Sequence, residues 1–230
     1  MKKFLVRVLC IFVFSKILRK KLRFVLGRGN RILIIENDGY ERPVKFSELR
    51  RLKLKISVFQ GKNNTIKFHK NFRNISADIF FTGSNNTVFI GNNVSGVYNI
   101  KFIGSDNKIV ISDECHSNGC SINFFGGNNS SFVMGKRCLC SWDVQIFVTD
   151  GHPMFDKITG EKLNYNSSFN FSIGEHCWLG YGSIITKNAN LADNVIVGAG
   201  AVVVKPVEKS FVAVAGNPAK IVKENIMFRF

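Results

Sequence analysis

Residues 171–203 read FSIGEHCWLGYGSIITKNANLADNVIVGAGAVV, and an apolar residue recurs at every sixth position: Ile173, Leu179, Ile185, Leu191, Val197 and Val203. A small or apolar residue (Cys177, Ser183, Ala189, Val195 or Ala201) stands two positions before each of the last five. Gly174, Gly180 and Gly198 follow three of them. Side chains two apart on a strand share a face. A fixed short period marks a solenoid in which each unit buries its apolar face only by stacking on the next. Six hexapeptides close two triangular coils of 18 residues.

Upstream the same device runs at a longer period. Gly61, Gly83, Gly104 and Gly126 are 22, 21 and 22 residues apart, and their flanks align in columns. Phe59, Phe81, Phe102 and Phe124 lie two before the glycine, and Ser57, Ile79, Ile100 and Ile122 four before. Asn64, Asn86, Asn107 and Asn129 lie three after it, and Phe68, Ile90, Ile111 and Val133 seven after. This predicts one coil per repeat, with Asn and Gly at corners because both tolerate positive φ. The surplus of Phe, 22 against 4 Tyr and 2 Trp, becomes an interior column rather than a ligand box. The fold class expected is all-β, a parallel β-helix over 56–225, whose hand periodicity leaves open. Residues 30–55 are expected to cap it, since the run Ile32–Ile35 ends at Asn37-Asp38-Gly39, a hairpin signal.

The net charge of +16 is unevenly placed. Lys2, Lys3, Arg7, Lys16, Arg19, Lys20, Lys21, Arg23 and Arg28 contribute nine charges before any acid appears, whereas residues 56–230 hold sixteen bases against twelve acids. A nucleic-acid binder carries its positive stripe on the folded body, interleaved with aromatics, so no nucleic-acid partner is expected. The apolar run Phe4–Phe14 is interrupted by Arg7 and lacks a following small-x-small site, unlike a signal peptide. It is also about half the roughly 20 residues of a membrane span. From Lys16 the pattern is amphipathic: Lys16, Arg19, Lys20 and Arg23 against Ile17, Leu18, Leu22, Val25 and Leu26. A helix over 1–29 is therefore predicted, either lying on an anionic membrane surface or docked on the protein's own oligomer. The expected location is cytoplasmic, peripheral to the inner membrane face.

Six cysteines, Cys10, Cys115, Cys120, Cys138, Cys140 and Cys177, form no CxxC pair and no zinc spacing with the four histidines. They read as reduced, buried hydrophobes, and no metal site is expected. One segment fits neither period: DGHPMFDKITGEKLNYNSSF, residues 150–169. A polar loop leaving a rigid solenoid is where function concentrates, and this one carries His152 beside Asp150, Gly151 and Pro153.

Gly151-His152-Pro153, the hexapeptide His176-Cys177-Trp178-Leu179-Gly180, Gly198-Ala199-Gly200 and Gly216-Asn217-Pro218-Ala219-Lys220 together resemble the hexapeptide-repeat acyltransferases. The similarity is to the galactoside, maltose and capsule O-acetyltransferase group and covers residues 130–225. The resemblance implies a left-handed β-helix, a homotrimer with active sites between the β-helices of neighbouring subunits, and direct acetyl transfer from acetyl-CoA to a sugar or polysaccharide hydroxyl. It makes His152 the general base, a role that suits an imidazole titrating near neutrality. It places Trp178 where it positions the acceptor or donates its indole N–H near the reacting oxygen, and leaves Asp150 or Asp143 to orient the imidazole. Gly180, Tyr181, Gly198 and Ala199 would line the pantetheine arm, with Lys205 and Lys220 near the CoA phosphates. Tyr181 departs from the small hydroxyl residue common at its position, and Val204 from Thr.

Two other readings stand beside this one: N-acetylation of a nucleotide-linked amino sugar, and a non-catalytic scaffold. Carbonic-anhydrase chemistry on the same fold needs three zinc histidines, and His69, His116, His152 and His176 lack that spacing.

Overall fold

The computed structural model describes residues 28–58, 60–164 and 168–229. The helix expected over 1–29 lies outside the described residues except for its last two positions. Parallel strands stack as successive coils. The first face is formed by β1 (Arg31–Ile35), β4 (Thr65–His69), β6 (Thr87–Ile90), β8 (Lys108–Ile111), β10 (Ser131–Met134) and β13 (Asn170–Ile173), each paired in parallel with the next. The long strands β3 (Lys53–Val58), β5 (Ile75–Phe81), β7 (Ser95–Ile103) and β9 (His116–Phe125) form the rest of the early coils. Past β9 this surface divides in two. The second face continues as β11 (Leu139–Cys140), β14 (Trp178–Leu179), β16 (Val195–Val197) and β18 (Val212–Gly216). The third continues as β12 (Val144–Phe147), β15 (Ile184–Ile185) and β17 (Val202–Val203).

The hexapeptide ladder is buried throughout. Leu179 stacks on Val197, Ile185 on Val203 and Ile173 on Leu191, with Cys177, Ser183, Ala189, Val195 and Ala201 closing the inside of the corners. The Phe column also lies inside: Phe81 and Phe102 stack with ring centroids 5.2 Å apart, and Phe102 and Phe124 follow at 5.0 Å.

Three details of the long repeats depart from the sequence columns. First, Asn64, Asn86 and Asn107 are not the strained corner residues but a fully buried ladder. Asn64 Oδ1 accepts from the Asn86 amide at 3.0 Å, Asn86 Oδ1 from the Asn107 amide at 3.0 Å, and Asn107 Oδ1 from the Ser130 amide at 2.9 Å. The left-handed residues are their predecessors Asn63, Asn85 and Asp106, at φ of 58°, 58° and 60°, and in the last repeat Asn129 itself, at 53°. Second, Gly127 rather than Gly126 stacks on Gly104, because the Gly126-Gly127 pair inserts one residue. Ser130 and Met134 therefore take the places expected of Asn129 and Val133, and Val133 faces outward. Third, the first repeat is also offset by one: Ile56 pairs with Ile79 and Val58 with Phe81, in place of Ser57 and Phe59, and Phe59 lies outside the described residues. The glycine column itself is required by close stacking, since a Cβ on Gly83 would overlap the carbonyl of Gly104.

The ends are closed by antiparallel strands. The hairpin expected at Asn37-Asp38-Gly39 forms between β1 and β2 (Glu41–Pro43), with Leu33 opposite Pro43. Because β1 is also the first rung of the first face, the coil begins at Arg31, ahead of the boundary expected near 56. A short helix α1 (Phe46–Arg51) follows the hairpin. Arg42 joins Glu36 and Glu48 across this cap, and its guanidinium holds both carboxyls below the usual carboxylate range. At the other end β19 (Ala219–Glu224) folds back on β18.

Candidate active site

The excursion at 150–169 leaves the corner that follows the third face and returns at β13. Its described residues 150–164 form a hairpin: Phe155 bridges antiparallel to Lys162, and the Leu163 amide donates to the Met154 carbonyl at 2.8 Å. Asp156 Oδ1 caps its turn by accepting from the amides of Ile158 and Thr159 at 2.8 and 2.7 Å. Met154, Phe155, Ile158 and Leu163 project from the hairpin, with Ile158 94% exposed.

At the foot of the hairpin His152 lines an open cavity of about 220 Å³ with Phe125, Asn128, Thr149, Asp150 and Lys162. Asp150 Oδ2 accepts from Asn164 Nδ2 at 2.9 Å and is ion-paired with Lys187 of the following coil. Asn164 Nδ2 also donates to the His152 carbonyl at 2.8 Å. Neither Asn164 nor Lys187 was distinguishable in the sequence. Asn164 is one of two asparagines in the loop, beside Asn166, and Lys187 occupies an ordinary solenoid corner.

The remaining candidates lie across the third face. Asp143, at φ 57°, occupies the corner before β12, and His152 lies beyond the end of that strand. Four strand residues at about 3.3 Å each keep the two apart within one chain, so Asp150 is the carboxylate placed near His152. Gly180, Tyr181, Gly198 and Ala199 share the corner of Asp143, between the second and third faces; Tyr181 is 58% exposed. The glycines there have a packing reason: a Cβ on Gly180 would stand 2.6 Å from the Val197 carbonyl oxygen, and one on Gly198 would stand 3.2 Å from the Ala215 side chain. Lys220 lies opposite Ala215 at this same edge, whereas Lys205 extends from the His152 corner two residues past β17. Both lysines are exposed.

Trp178 is on the second face, 37% exposed, and its indole N–H donates to Ser141 Oγ at 3.2 Å. Phe228, near the C terminus, packs beside it at 6.0 Å and stacks on His176 at 4.4 Å, an arrangement the sequence did not signal. Within one chain, then, the structure gathers His152, Asp150 and Lys205 at one edge of the third face. It gathers Trp178, Asp143, the glycine corner and Lys220 at the other.

The buried thiols of Cys138 and Cys177 offer no nucleophile. The neighbouring Cys115 thiol and burial push Cys138 up, and Cys138 and burial do the same to Cys177, so both stay protonated and inert. Among the described residues no group of three His, Cys, Asp or Glu could hold a metal ion, and no helix is long and apolar enough to cross a membrane.

No family model matches the chain. The chain is similar to the polysialic acid O-acetyltransferase of Escherichia coli O1:K1 / APEC, at 33% identity over 95 residues, which are 41% of this chain and 30% of that protein. It thus spans under a third of that curated relative. Among solved structures, the polySia-specific acetyltransferase NeuO superposes with a TM-score of 0.67 at 24% identity, covering 79% of this chain and 90% of NeuO. The polysialic acid O-acetyltransferase OatWY gives a TM-score of 0.51 at 30% identity, covering 76% of this chain and 92% of OatWY. The hand left open by the periodicity is the left-handed one of these neighbours. With its six-residue ladder, its left-handed coil and this identity over nearly all of OatWY, the chain belongs to the hexapeptide-repeat acyltransferase family.

Proposed function

We propose that this protein is an acetyl-CoA-dependent O-acetyltransferase that modifies a hydroxyl of a cell-surface glycan. The observation that carries this reading is the presentation of His152 in an open cavity at the foot of a hairpin, with Asp150 beside it. The neutral imidazole takes the proton of the acceptor hydroxyl as that oxygen attacks the thioester carbonyl of acetyl-CoA. The carbon–sulfur bond then breaks, and the CoA thiolate recovers the proton from the imidazolium. A positioned base of this kind contributes about 10² to 10⁴ in rate. No acyl-enzyme forms, in keeping with the Cys138 and Cys177 thiols, which stay protonated.

Trp178 orients the acceptor or donates to the reacting oxygen. Gly180, Tyr181, Gly198 and Ala199 flank the pantetheine path, and Lys205 and Lys220 meet the CoA phosphates as mobile point charges. Two copies are needed to complete this set, because one edge of the third face holds His152 and the other holds Trp178 and the glycine corner. A homotrimer in which the edge of one coil meets the opposite edge of the next supplies both. The apolar hairpin residues Met154, Phe155, Ile158 and Leu163 offer surface for such a contact. The N-terminal segment, residues 1–26, is assigned to an anionic membrane surface, where capsule or lipopolysaccharide sugars are assembled.

Release of CoA thiol from acetyl-CoA, with polysialic acid as the first acceptor and other capsule and lipopolysaccharide sugars after it, tests the reading. The acetylated product is identified by mass spectrometry. His152→Ala is expected to lower turnover by at least about 100-fold; equal release by the variant and the parent overturns the base assignment. Acetyl removed by mild alkali marks an ester, whereas alkali-stable acetyl marks an amide and an amino-sugar acceptor.

A further inference from the structure

We infer that Lys187 and Asn164 are positioning residues that fix where His152 stands. The inference rests on the reading of His152 as the base. Three stretches of chain meet at the foot of the hairpin: the outgoing arm Asp150-Gly151-His152, the returning arm at Asn164, and the next coil at Lys187. Asn164 uses both ends of its amide on the outgoing arm. Its Nδ2 donates to Asp150 Oδ2 at 2.9 Å and to the His152 carbonyl at 2.8 Å, while its Oδ1 accepts from the Met154 amide at 2.7 Å. His152 is thus held on both sides by one side chain.

Lys187 ties this arrangement to the solenoid. Its ammonium pairs with Asp150, where the loop leaves, and lies 5.3 Å from the ring centroid of Phe169, where the loop returns. A single cation therefore pins both ends of a twenty-residue excursion whose free closure would be entropically costly.

Asp150 thereby serves as an anchor: its carboxylate is met by the Asn164 amide and the Lys187 ammonium together, so the arm that carries His152 is tied at once to the returning arm and to the next coil.

The test uses the full chain with acetyl-CoA and the acceptor identified above. Lys187→Met is expected to lower kcat about 10- to 100-fold, the scale of a misplaced catalytic group. KM for acetyl-CoA should stay within about twofold, and Lys187→Arg, which keeps the charge, should restore most of the rate. Because the two residues act as a unit, Lys187→Met added to Asp150→Asn should cost little beyond Asp150→Asn alone. If Lys187→Met does not fold, Asn164→Ser, confined to the exposed loop, carries the test with an expected kcat loss of about 10-fold. The inference is overturned if Lys187→Met, or Asn164→Ser in its place, keeps parental kcat while His152→Ala is inactive, or if Lys187→Arg is as impaired as Lys187→Met. Independent, multiplying losses in the double variant overturn it as well. Should His152→Ala itself be fully active, the base reading is what has failed, and the two failures are told apart.

Discussion

Asn86 shows how a polar side chain earns a place in an apolar core. It is fully buried, yet each of its amide groups is met: Nδ2 donates to the Gly104 carbonyl and to Asn64 Oδ1, and Oδ1 accepts from the Asn107 amide, all at 3.0 Å. Each coil thereby satisfies backbone groups of the next at a corner where the strand ladder is interrupted. Asn86→Ala leaves the Gly104 carbonyl and the Asn107 amide buried without these partners, at about 1–3 kcal/mol each. A loss of at least about 2 kcal/mol in denaturant titration is expected, and a variant as stable as the parent would remove the ladder from the account. The neighbouring Asn85, though identical in type, does a different job by taking the left-handed conformation. Two adjacent asparagines look alike in a repeat column, and only the path of the chain distinguishes the corner from the ladder.

Among the elements, the coils were legible because their period is dictated by geometry. The ladder from Ile173 to Val203 needs an inward residue every six positions, and any slip would turn an apolar side chain outward. The long repeats were legible in kind, but their register shifts by one at Gly126-Gly127 and again before β5, since a corner absorbs an extra residue without disturbing the strands beside it. The hairpin at 150–169 stood out by failing both periods. Its internal pairing did not, because the Phe155–Lys162 bridge and the Asn164 clip depend on contacts with no repeating neighbour. The N-terminal segment is an element of another sort, defined by charge and amphipathicity alone. Deleting residues 1–26 should abolish co-sedimentation with vesicles rich in anionic lipid; binding at the parental level would overturn the membrane assignment and leave docking on the oligomer.

For the whole molecule, the decisive feature is that the third face separates the two groups of residues proposed to make up the site. A coil is too stiff to bring its own edges together, so the proposed chemistry requires a second copy. Mixed oligomers test this directly. Co-expressing His152→Ala with Trp178→Ala should recover part of the parental turnover, because some interfaces then pair an intact His152 with an intact Trp178. Activity no greater than the sum of the two separate variants would place the whole site within one chain. The same geometry bears on charge: the +16 is concentrated at the N terminus, and the coil itself presents Lys205 and Lys220 at opposite edges, suited to a donor held between copies.

The sequence by itself determined the solenoid, the interior Phe column, the excursion that carries His152 and the family resemblance, because periodic burial and a broken period are both local signals. Tertiary structure decided which asparagines are buried, where each coil takes up its extra residue, and which groups stand together at the site. Asp150 and Asn164 meet because the excursion folds back on itself, and Lys187 joins them because coils stack at a fixed rise. Asp143, close to His152 in sequence, is kept from it by the rigid width of one strand face, and Trp178 lies on Asp143's side of that face.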